Sequence, residues 1–347
     1  MMAEVMPLAR VHGPGDVRLD DVPVPLPADG EVIVRVAACG ICGSDLGYIA
    51  QGGLGGVEPL SEPLPIGHEF AGTIEAVGRG VSGLATGQRV AVNPDHGYIG
   101  GGGPEGAMAP FIRVRGASLG ETVFPLPGHV SFAQAALAEP LSVGLHAIER
   151  LGIAPHDKVA ILGAGPIGLC TVAMLRSMGA EKIAIFDRVE TRLERARILG
   201  AGLACNVDRQ PMVEALAEFH GAGERFGAPH VETDAFIDCA GSPQALTQAF
   251  GAAKYRARIA VVALHKNPVA LDLWRMMANE ILITGSIAVD RAEAFGKALA
   301  MIAREGSALA PLISHHFDFA DFHEALRTAA STEESAKVML TFADNAA

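Results

Sequence analysis

The feature that most constrains the fold is an alternation of strand and helix patterns between residues 158 and 264. Short apolar runs typical of buried strands are KVAILG, KIAIFD, DAFIDCAG and RIAVVAL. Helix patterns follow in PIGLCTVAMLRSMG, ETRLERARILG and PQALTQAFGAA, and the first two end at Gly179 and Gly200. This β-α-β order predicts a parallel sheet covered by helices on both faces.

The first strand of this region runs into a glycine-rich turn, GAGPIG, that opens the next helix. Gly163 permits a tight turn, Gly165 lets the backbone approach a pyrophosphate, and Gly168 lets the helix pack closely on the strand. Asp187 ends the next strand, 19 residues after Gly168. A carboxylate there accepts hydrogen bonds from ribose hydroxyls and repels a 2′-phosphate. We therefore expect a Rossmann site that prefers NAD to NADP.

Two observations leave alternatives open at this site. Arg188 follows Asp187 directly, and an arginine can bind a 2′-phosphate. A glycine-rich turn also occurs in nucleotide-free α/β domains, where Asp187 would serve as a helix cap. The residues that we predict to bind the cofactor are Gly163, Gly165, Pro166, Ile167, Gly168, Asp187, Arg188 and Arg192.

The first third of the chain is rich in strand patterns instead. Strand-like alternation occurs at residues 31–37, 72–77 and 89–93. Segment 96–106 contains four consecutive glycines and predicts an irregular loop. We expect one domain from residues 1–140, completed by residues 286–347, and a Rossmann domain from residues 141–285.

Composition excludes several classes of protein. The formal net charge of −12 argues against nucleic-acid binding, which needs a basic face. Five cysteines without a regular framework favour a reducing cytosol, and the opening residues do not resemble a signal peptide. Residues 159–175 are uncharged, but three glycines and a proline in that run disfavour a membrane helix. We expect a cytoplasmic protein without nucleic-acid or membrane partners.

Side chains suited to zinc occur at three places. Cys39 and Cys42 form a CxxC without a second such pair, so a zinc ribbon is excluded. His68 and Glu69 are adjacent, and Glu139 precedes a proline. One Cys, one His and one Glu with a water molecule are typical of a catalytic zinc site. Taken singly, each residue has a structural alternative: a small core cysteine, a hydrogen-bonded histidine, and a surface or capping glutamate.

Four segments together resemble the zinc-dependent medium-chain dehydrogenases, in particular the polyol (sorbitol), threonine and 2,3-butanediol dehydrogenases. They are CGICGSD at 39–45, GHEFAGTIEAVGRGV at 67–81, AEPLSVGLHA at 138–147, and GAGPIGL with the downstream Asp187. The resemblance spans nearly the whole chain in the right order. It implies an α/β fold, with a Rossmann doubly wound parallel sheet plus a β-rich GroES-like catalytic domain.

The resemblance also implies the metal ligands. The metal-binding cysteine of this family precedes Gly-Ser/Thr-Asp, so Cys42 is the expected ligand and Cys39 is not. His68 is the expected second ligand. Glu69 and Glu139 match two carboxylates that contact zinc directly or through water and that can exchange.

Three further roles follow from the same resemblance. Ser44 matches the hydroxyl that takes the alcohol proton, and Asp45 matches an acceptor that orients the site. Tyr48 matches a residue that lines the substrate pocket in the polyol branch. A histidine that often ends the proton relay is replaced by Gly47, so the relay must finish through water, the ribose or another group.

Many relatives bind a structural zinc through four clustered cysteines, but here the corresponding stretch, PDHGYIGGGGPEGAMAP, has none. We therefore expect one catalytic zinc per chain and no structural zinc. The implied reaction transfers hydride from a secondary alcohol, such as a 2,3-butanediol-like diol or a polyol, to NAD and yields a ketone. Alternatives are an apolar cyclic alcohol or L-threonine as substrate, a zinc-free quinone or enone reductase, and a non-catalytic NAD-binding relative. A homo-oligomer is expected, with a tetramer favoured over a dimer.

Overall fold

A computed structural model describes residues 4–54, 60–287 and 292–342. The chain divides into two compact units. The first unit comprises residues 1–139, 289–331 and 337–347, and the second unit comprises residues 140–288 and 332–336. The domain bounds expected from the sequence alone stay a prediction.

The elements are numbered along the chain. Up to residue 151 they are β1 (Val5–Gly13), β2 (Asp16–Pro23), β3 (Val32–Ile41), α1 (Gly43–Gln51), β4 (Leu64–Pro65), β5 (Glu69–Val77), β6 (Arg89–Val92), β7 (Phe111–Val114), β8 (Val123–Pro125), α2 (Phe132–Ala136) and α3 (Ala138–Leu151). From residue 159 to residue 285 they are β9 (Val159–Leu162), α4 (Pro166–Ser177), β10 (Ile183–Asp187), α5 (Glu190–Ile198), β11 (Leu203–Asn206), α6 (Met212–His220), β12 (Ala222–Arg225), β13 (Ala228–Val231), β14 (Ala235–Asp238), α7 (Pro243–Ala252), β15 (Arg258–Val261), α8 (Leu273–Ala278) and β16 (Leu282–Gly285). The remaining elements are α9 (Ala292–Glu305), a 3-10 turn at Gly306–Leu312, β17 (Ile313–Asp318), a 3-10 turn at Phe319–Asp321, α10 (Phe322–Ala330) and β18 (Lys337–Thr341).

The first unit is built on a sheet of order β17-β18-β3-β5-β6-β8, in which β7 also pairs with β3. The alternating valines of β3 are buried, which is why this strand lies in the middle of the sheet. Antiparallel pairing places Gly40 opposite Glu69 and Ile41 opposite Val338. The end of β3, the start of β5 and the start of β18 therefore lie side by side.

The second unit contains a parallel sheet of order β11-β10-β9-β14-β15-β16. The strand order reverses between β9 and β14, which is where doubly wound sheets bind ligands at the carboxyl ends of their strands. The apolar runs of β9, β10 and β14 are buried, as expected for strands covered on both faces.

Several elements of the second unit are not predicted by the sequence patterns, namely β11, α6, α8, β16 and the pair of strands β12 and β13. β12 and β13 form a hairpin around Phe226 and Gly227, both of which have positive φ. Its residues, AGERFGAPHV, mix glycine, proline and charged side chains and lack a clear alternation of apolar residues. Among the helices of the described residues, none is both long and apolar enough to cross a membrane.

Candidate metal centre and cofactor site

Three residues with metal-ligating atoms converge in the first unit. A sulfur of Cys42, a ring nitrogen of His68 and a carboxylate oxygen of Glu69 all lie within 4.8 Å of one another. Cys42 caps α1 directly after β3, and Glu69 opens β5. The pairing of Gly40 with Glu69 brings these two chain segments together.

Asp45 connects the two segments that carry the candidate ligands. Its Oδ2 accepts a hydrogen bond from the backbone N–H of Cys42 at 2.9 Å, and its Oδ1 accepts one from the N–H of Gly67 at 3.1 Å. The same Oδ1 lies 3.6 Å from Nδ1 of His68, and Asp45 is completely buried. A carboxylate beside Nδ1 orients the imidazole and leaves Nε2 for a metal ion.

The electrostatic environment of His68 favours positive charge. Burial disfavours the imidazolium, but the negative charges of Asp45 and Cys42 outweigh it and raise the pKa of His68 well above its ordinary value. A cation at this place is therefore stabilised whether it is a proton or a metal ion. The two compete for the imidazole, so metal affinity should fall as the pH is lowered.

Glu69 forms a buried ion pair that the sequence did not indicate. Nζ of Lys337 donates to Oε1 of Glu69 at 2.5 Å and to the carbonyl of Ile41 at 3.1 Å. Neither charged side chain is more than 2% exposed. Burial raises the pKa of Glu69, Lys337 opposes that shift, and the charge of Glu139 adds to it.

The residues present fit a zinc ion. Oε2 of Glu69 is buried and has no hydrogen-bond partner within the described part of the chain. A thiol, an imidazole and a carboxylate together form the donor set of a catalytic zinc, which keeps a further position for water or substrate. Cys39, by contrast, lies outside the cluster, and its buried thiol contacts the carbonyl of Gly40.

Glu139 lies near this cluster but not within it. It is in the first turn of α3 and is 6% exposed. Its negative charge contributes to the raised pKa of Glu69. Its oxygens do not belong to the group of mutually close ligand atoms, which within the described residues comprises Cys42, His68 and Glu69.

The predicted proton-relay residues lie on α1, which begins at the metal cluster. Ser44 and Tyr48 are four residues apart on α1, so they lie on the same face of the helix. Burial raises the pKa of the Tyr48 phenol. The charge of His68 opposes this shift, and the charge of Asp45 adds to it. A side chain at Gly47 would point into open space. Tyr48 therefore shares a helix face with Ser44, and it is a candidate for the end of the proton relay, which the sequence leaves undefined.

The second unit carries the glycine-rich turn after β9. Gly163 has a φ of 92°, and a Cβ there would lie 3.0 Å from the Cα of Ala240. A Cβ on Gly168 would lie 1.9 Å from the carbonyl oxygen of Gly163, so only glycine allows α4 to pack on the turn. Near Gly165 the closest atom to such a Cβ is Nη1 of Arg192, at 3.9 Å, which leaves room for a phosphate. Pro166 and Ile167 form the first turn of α4.

Asp187 is held by the backbone on both of its oxygens. Oδ2 accepts from the N–H of Ala164 at 2.7 Å, and Oδ1 accepts from the N–H groups of Arg188 and Val189. Nε of Arg188 donates to Asp208, at 2.9 Å from the nearer oxygen. Asp208 was not identified from the sequence, because no motif marks it.

Asp187, Arg188 and Asp208 line a pocket of about 600 Å³ at the carboxyl ends of the parallel strands. Its walls are formed by Leu162, Gly163, Phe186, Asp187, Arg188, Val207, Asp208, Pro211, Met212, Ala240, Ser242, Gln244, Ala245 and Gln248. Arg192 is held by the carbonyl of Ser335, and burial lowers the pKa of its guanidinium. The walls combine apolar side chains with the carboxylates of Asp187 and Asp208 and the guanidinium of Arg188, a mixed lining that suits the adenosine part of a nicotinamide cofactor.

Comparisons with known proteins identify the family of the chain. Two family profiles match the chain: "Zinc-binding dehydrogenase" over residues 166–304 and "Alcohol dehydrogenase GroES-like domain" over residues 28–127. Human sorbitol dehydrogenase is 30% identical over 341 residues, which cover 92% of this chain and 91% of that protein. Sorbitol dehydrogenase of Bacillus subtilis is 33% identical, with 81% of each chain covered. The solved structure of 2R,3R-butanediol dehydrogenase from Bacillus subtilis has a TM-score of 0.85 and 26% identity, and covers 97% of this chain and 99% of that one.

The chain therefore belongs to the zinc-dependent medium-chain alcohol dehydrogenase family, in its polyol dehydrogenase branch. It is an oxidoreductase. The family predicted from the sequence is confirmed, and so is the fold class, a Rossmann doubly wound sheet plus a GroES-like domain. The site residues, the particular cofactor and the substrate stay predictions.

Proposed function

We propose that this protein is a zinc-dependent dehydrogenase that transfers hydride from a secondary alcohol, a diol or polyol, to NAD and yields a ketone. The observation that carries the proposal is the convergence of Cys42, His68 and Glu69, with a buried oxygen of Glu69 unpaired in the described structure. The named relatives, a sorbitol and a butanediol dehydrogenase, support a vicinal diol or polyol as the substrate class.

The residues have distinct parts in this reaction. Cys42, His68 and Glu69 would hold one catalytic zinc, with Glu139 as the carboxylate that can take the place of Glu69. Bound there, zinc would supply Lewis-acid polarisation of the alcohol oxygen. Ser44 accepts the hydroxyl proton, and Tyr48, one helical turn further along α1, is the proposed onward partner for that proton. Asp45 keeps His68 oriented. Bound NAD would supply the acceptor for the hydride that leaves the substrate carbon.

The direct test is NADH formation with a panel of 2,3-butanediol, sorbitol, other polyols, cyclic secondary alcohols and L-threonine, each before and after chelation of zinc. Chelator-sensitive turnover that is highest on diols or polyols would support the proposal. Highest turnover on L-threonine or a cyclic alcohol would keep the zinc mechanism and replace the substrate class. Chelator-insensitive reduction of a quinone or enone, or zinc binding without any turnover, would overturn the proposed reaction.

The preference for NAD is expected to depend on Asp187. We expect Asp187→Ala to lower the ratio of NADH to NADPH affinity by about 10–100-fold, because hydrogen bonds to a charged group are worth roughly 1.5–3 kcal/mol. Asp208→Ala should act on NADPH alone, since it releases Arg188 to bind a 2′-phosphate. Fluorescence titration of both reduced cofactors measures these constants. An unchanged ratio in Asp187→Ala would remove Asp187 from this role.

We also propose that the protein is a homo-oligomer, with four copies favoured over two. β16 is an edge strand of the parallel sheet. Exposed apolar side chains lie on this strand and on the preceding helix α8. They are Leu273, Trp274, Met277 and Leu282, each at least half exposed. Light scattering should give a mass four times the chain mass of 36.0 kDa, and Trp274→Glu should reduce it. Leu26→Glu, at an exposed leucine in the first unit, is the control that should leave the mass unchanged.

A further inference from the structure

The glycine-rich segment 97–106, called the lobe below, packs backbone against backbone on the residues that precede His68. A Cβ on Gly100 would lie 2.2 Å from the carbonyl oxygen of Gly67 and 2.5 Å from its carbonyl carbon. A Cβ on Gly106 would lie 2.6 Å from the carbonyl oxygen of Ile66 and 2.7 Å from its nitrogen. Only hydrogen atoms fit at these two positions. The contacts are made to the backbone of Ile66 and Gly67, the two residues before the candidate ligand His68.

Hydrogen bonds fix the same two peptides from several sides. The N–H of Ala107 donates to the carbonyl of Gly67 at 2.9 Å, and the N–H of Met108 donates to the carbonyl of Ile66 at 3.2 Å. On the other side, the N–H of Gly67 donates to Asp45, the residue that also orients His68. The lobe itself is closed by a hydrogen bond from Gly100 to the carbonyl of Glu105 at 2.7 Å. The backbone before His68 is thus held between the lobe and Asp45.

We propose that the lobe is a positioning element of the metal site, and that Gly100 and Gly106 set the place of His68 and Glu69 by direct contact with Ile66 and Gly67. The proposal rests on the proposed zinc site. An added methyl group and the carbonyl oxygen that it meets would have to separate by roughly an ångström to reach an ordinary contact of 3.4 Å or more. Metal–ligand distances tolerate deviations of only about 0.2 Å. A backbone shift of this size, passed from Ile66 or Gly67 to His68, is therefore large enough to disturb metal coordination.

The variants that test this are Gly106→Ala and Gly100→Ala, with Gly101→Ala as the matched control. Gly106 lacks the positive φ of Gly100, so its alanine variant tests the close contact without left-handed strain. A Cβ on Gly101 would have nothing closer than 3.8 Å, although this residue is adjacent to Gly100. Each variant adds one methyl group to the same lobe.

The readout is the zinc dissociation constant, measured by competition with a chelator, together with the absorption spectrum of the cobalt-substituted protein. We expect Gly106→Ala and Gly100→Ala to bind zinc about 10–100-fold more weakly, as found when residues that support metal ligands are changed. Gly101→Ala should stay within about twofold of the wild type. NADH affinity, a property of the second unit, should not change in any variant. Wild-type zinc affinity and an unchanged cobalt spectrum in both contact variants would overturn the proposal.

A measurement on the unmodified protein avoids any loss of folding in the variants. If the lobe favours metal binding, then metal binding must stabilise the lobe by the same free energy. Hydrogen exchange of residues 97–108 should therefore slow when zinc is added, whereas the hairpin β12–β13 should exchange at the same rate. Equal exchange of the lobe with and without bound zinc would overturn the positioning role alone. A wild-type protein that binds no zinc would overturn the proposed function and, with it, this inference.

Discussion

Cys42→Ala is expected to abolish zinc binding and to lower kcat by about a thousandfold or more, because Lewis-acid stabilisation of the reacting oxygen is worth several kcal/mol. The variant removes the one sulfur of the cluster and leaves an imidazole and a carboxylate that is already paired with Lys337. NADH binding should remain at the wild-type level, since the pocket lined by Asp187 belongs to the second unit. Zinc content by mass spectrometry, turnover and NADH titration measure the three effects.

Cys39→Ala is the matched control for that variant. Cys39 lies three residues away and is also a free cysteine, but it is outside the cluster. Burial raises the pKa of its thiol well above the ordinary value, which keeps it protonated and unsuited to bind a metal. We expect Cys39→Ala to retain full zinc content with a modest loss of stability. Full activity in a zinc-free Cys42→Ala protein would contradict the proposed mechanism.

The sequence predicts those parts of the structure that depend on residues close together in the chain. Gly168 of GAGPIG, for example, is required by a close contact with the carbonyl of Gly163, five residues earlier. Four strands of the second unit, β9, β10, β14 and β15, follow from apolar runs in the sequence. Family resemblance added the ligand assignments, because Cys42 and His68 stand in recognisable segments.

The contacts that the sequence does not predict join residues that are far apart in the chain. Lys337 meets Glu69 across 268 positions of sequence, and its own segment, KVMLTF, differs from an ordinary apolar strand only by its first residue. The register of β18 on β3 decides that this lysine is buried, and register is not readable from one strand. The supporting contacts of Gly100 and Gly106 likewise depend on where a loop without regular structure comes to lie.

Lys337→Met is expected to lower the free energy of unfolding of the zinc-free protein by about 3–5 kcal/mol at neutral pH, because it removes the ammonium group that pairs with the buried carboxylate of Glu69. Methionine retains most of the length of the lysine side chain, so packing changes little. The double variant Lys337→Met/Glu69→Gln removes both charges and should recover most of the loss. Urea titrations of the wild type, the two single variants and the double variant complete a double-mutant cycle.

The pH dependence distinguishes an unpaired charge from a packing defect. Burial already raises the pKa of Glu69, and without Lys337 the shift should increase, since the opposing positive charge is gone. A folded-state pKa above the unfolded value of about 4.3 means that the folded variant binds the proton more tightly. Its stability deficit should therefore be largest at neutral pH and shrink as the pH falls toward that value. A deficit of constant size from pH 8 to pH 5 would assign the loss to the aliphatic part of Lys337 rather than to its charge.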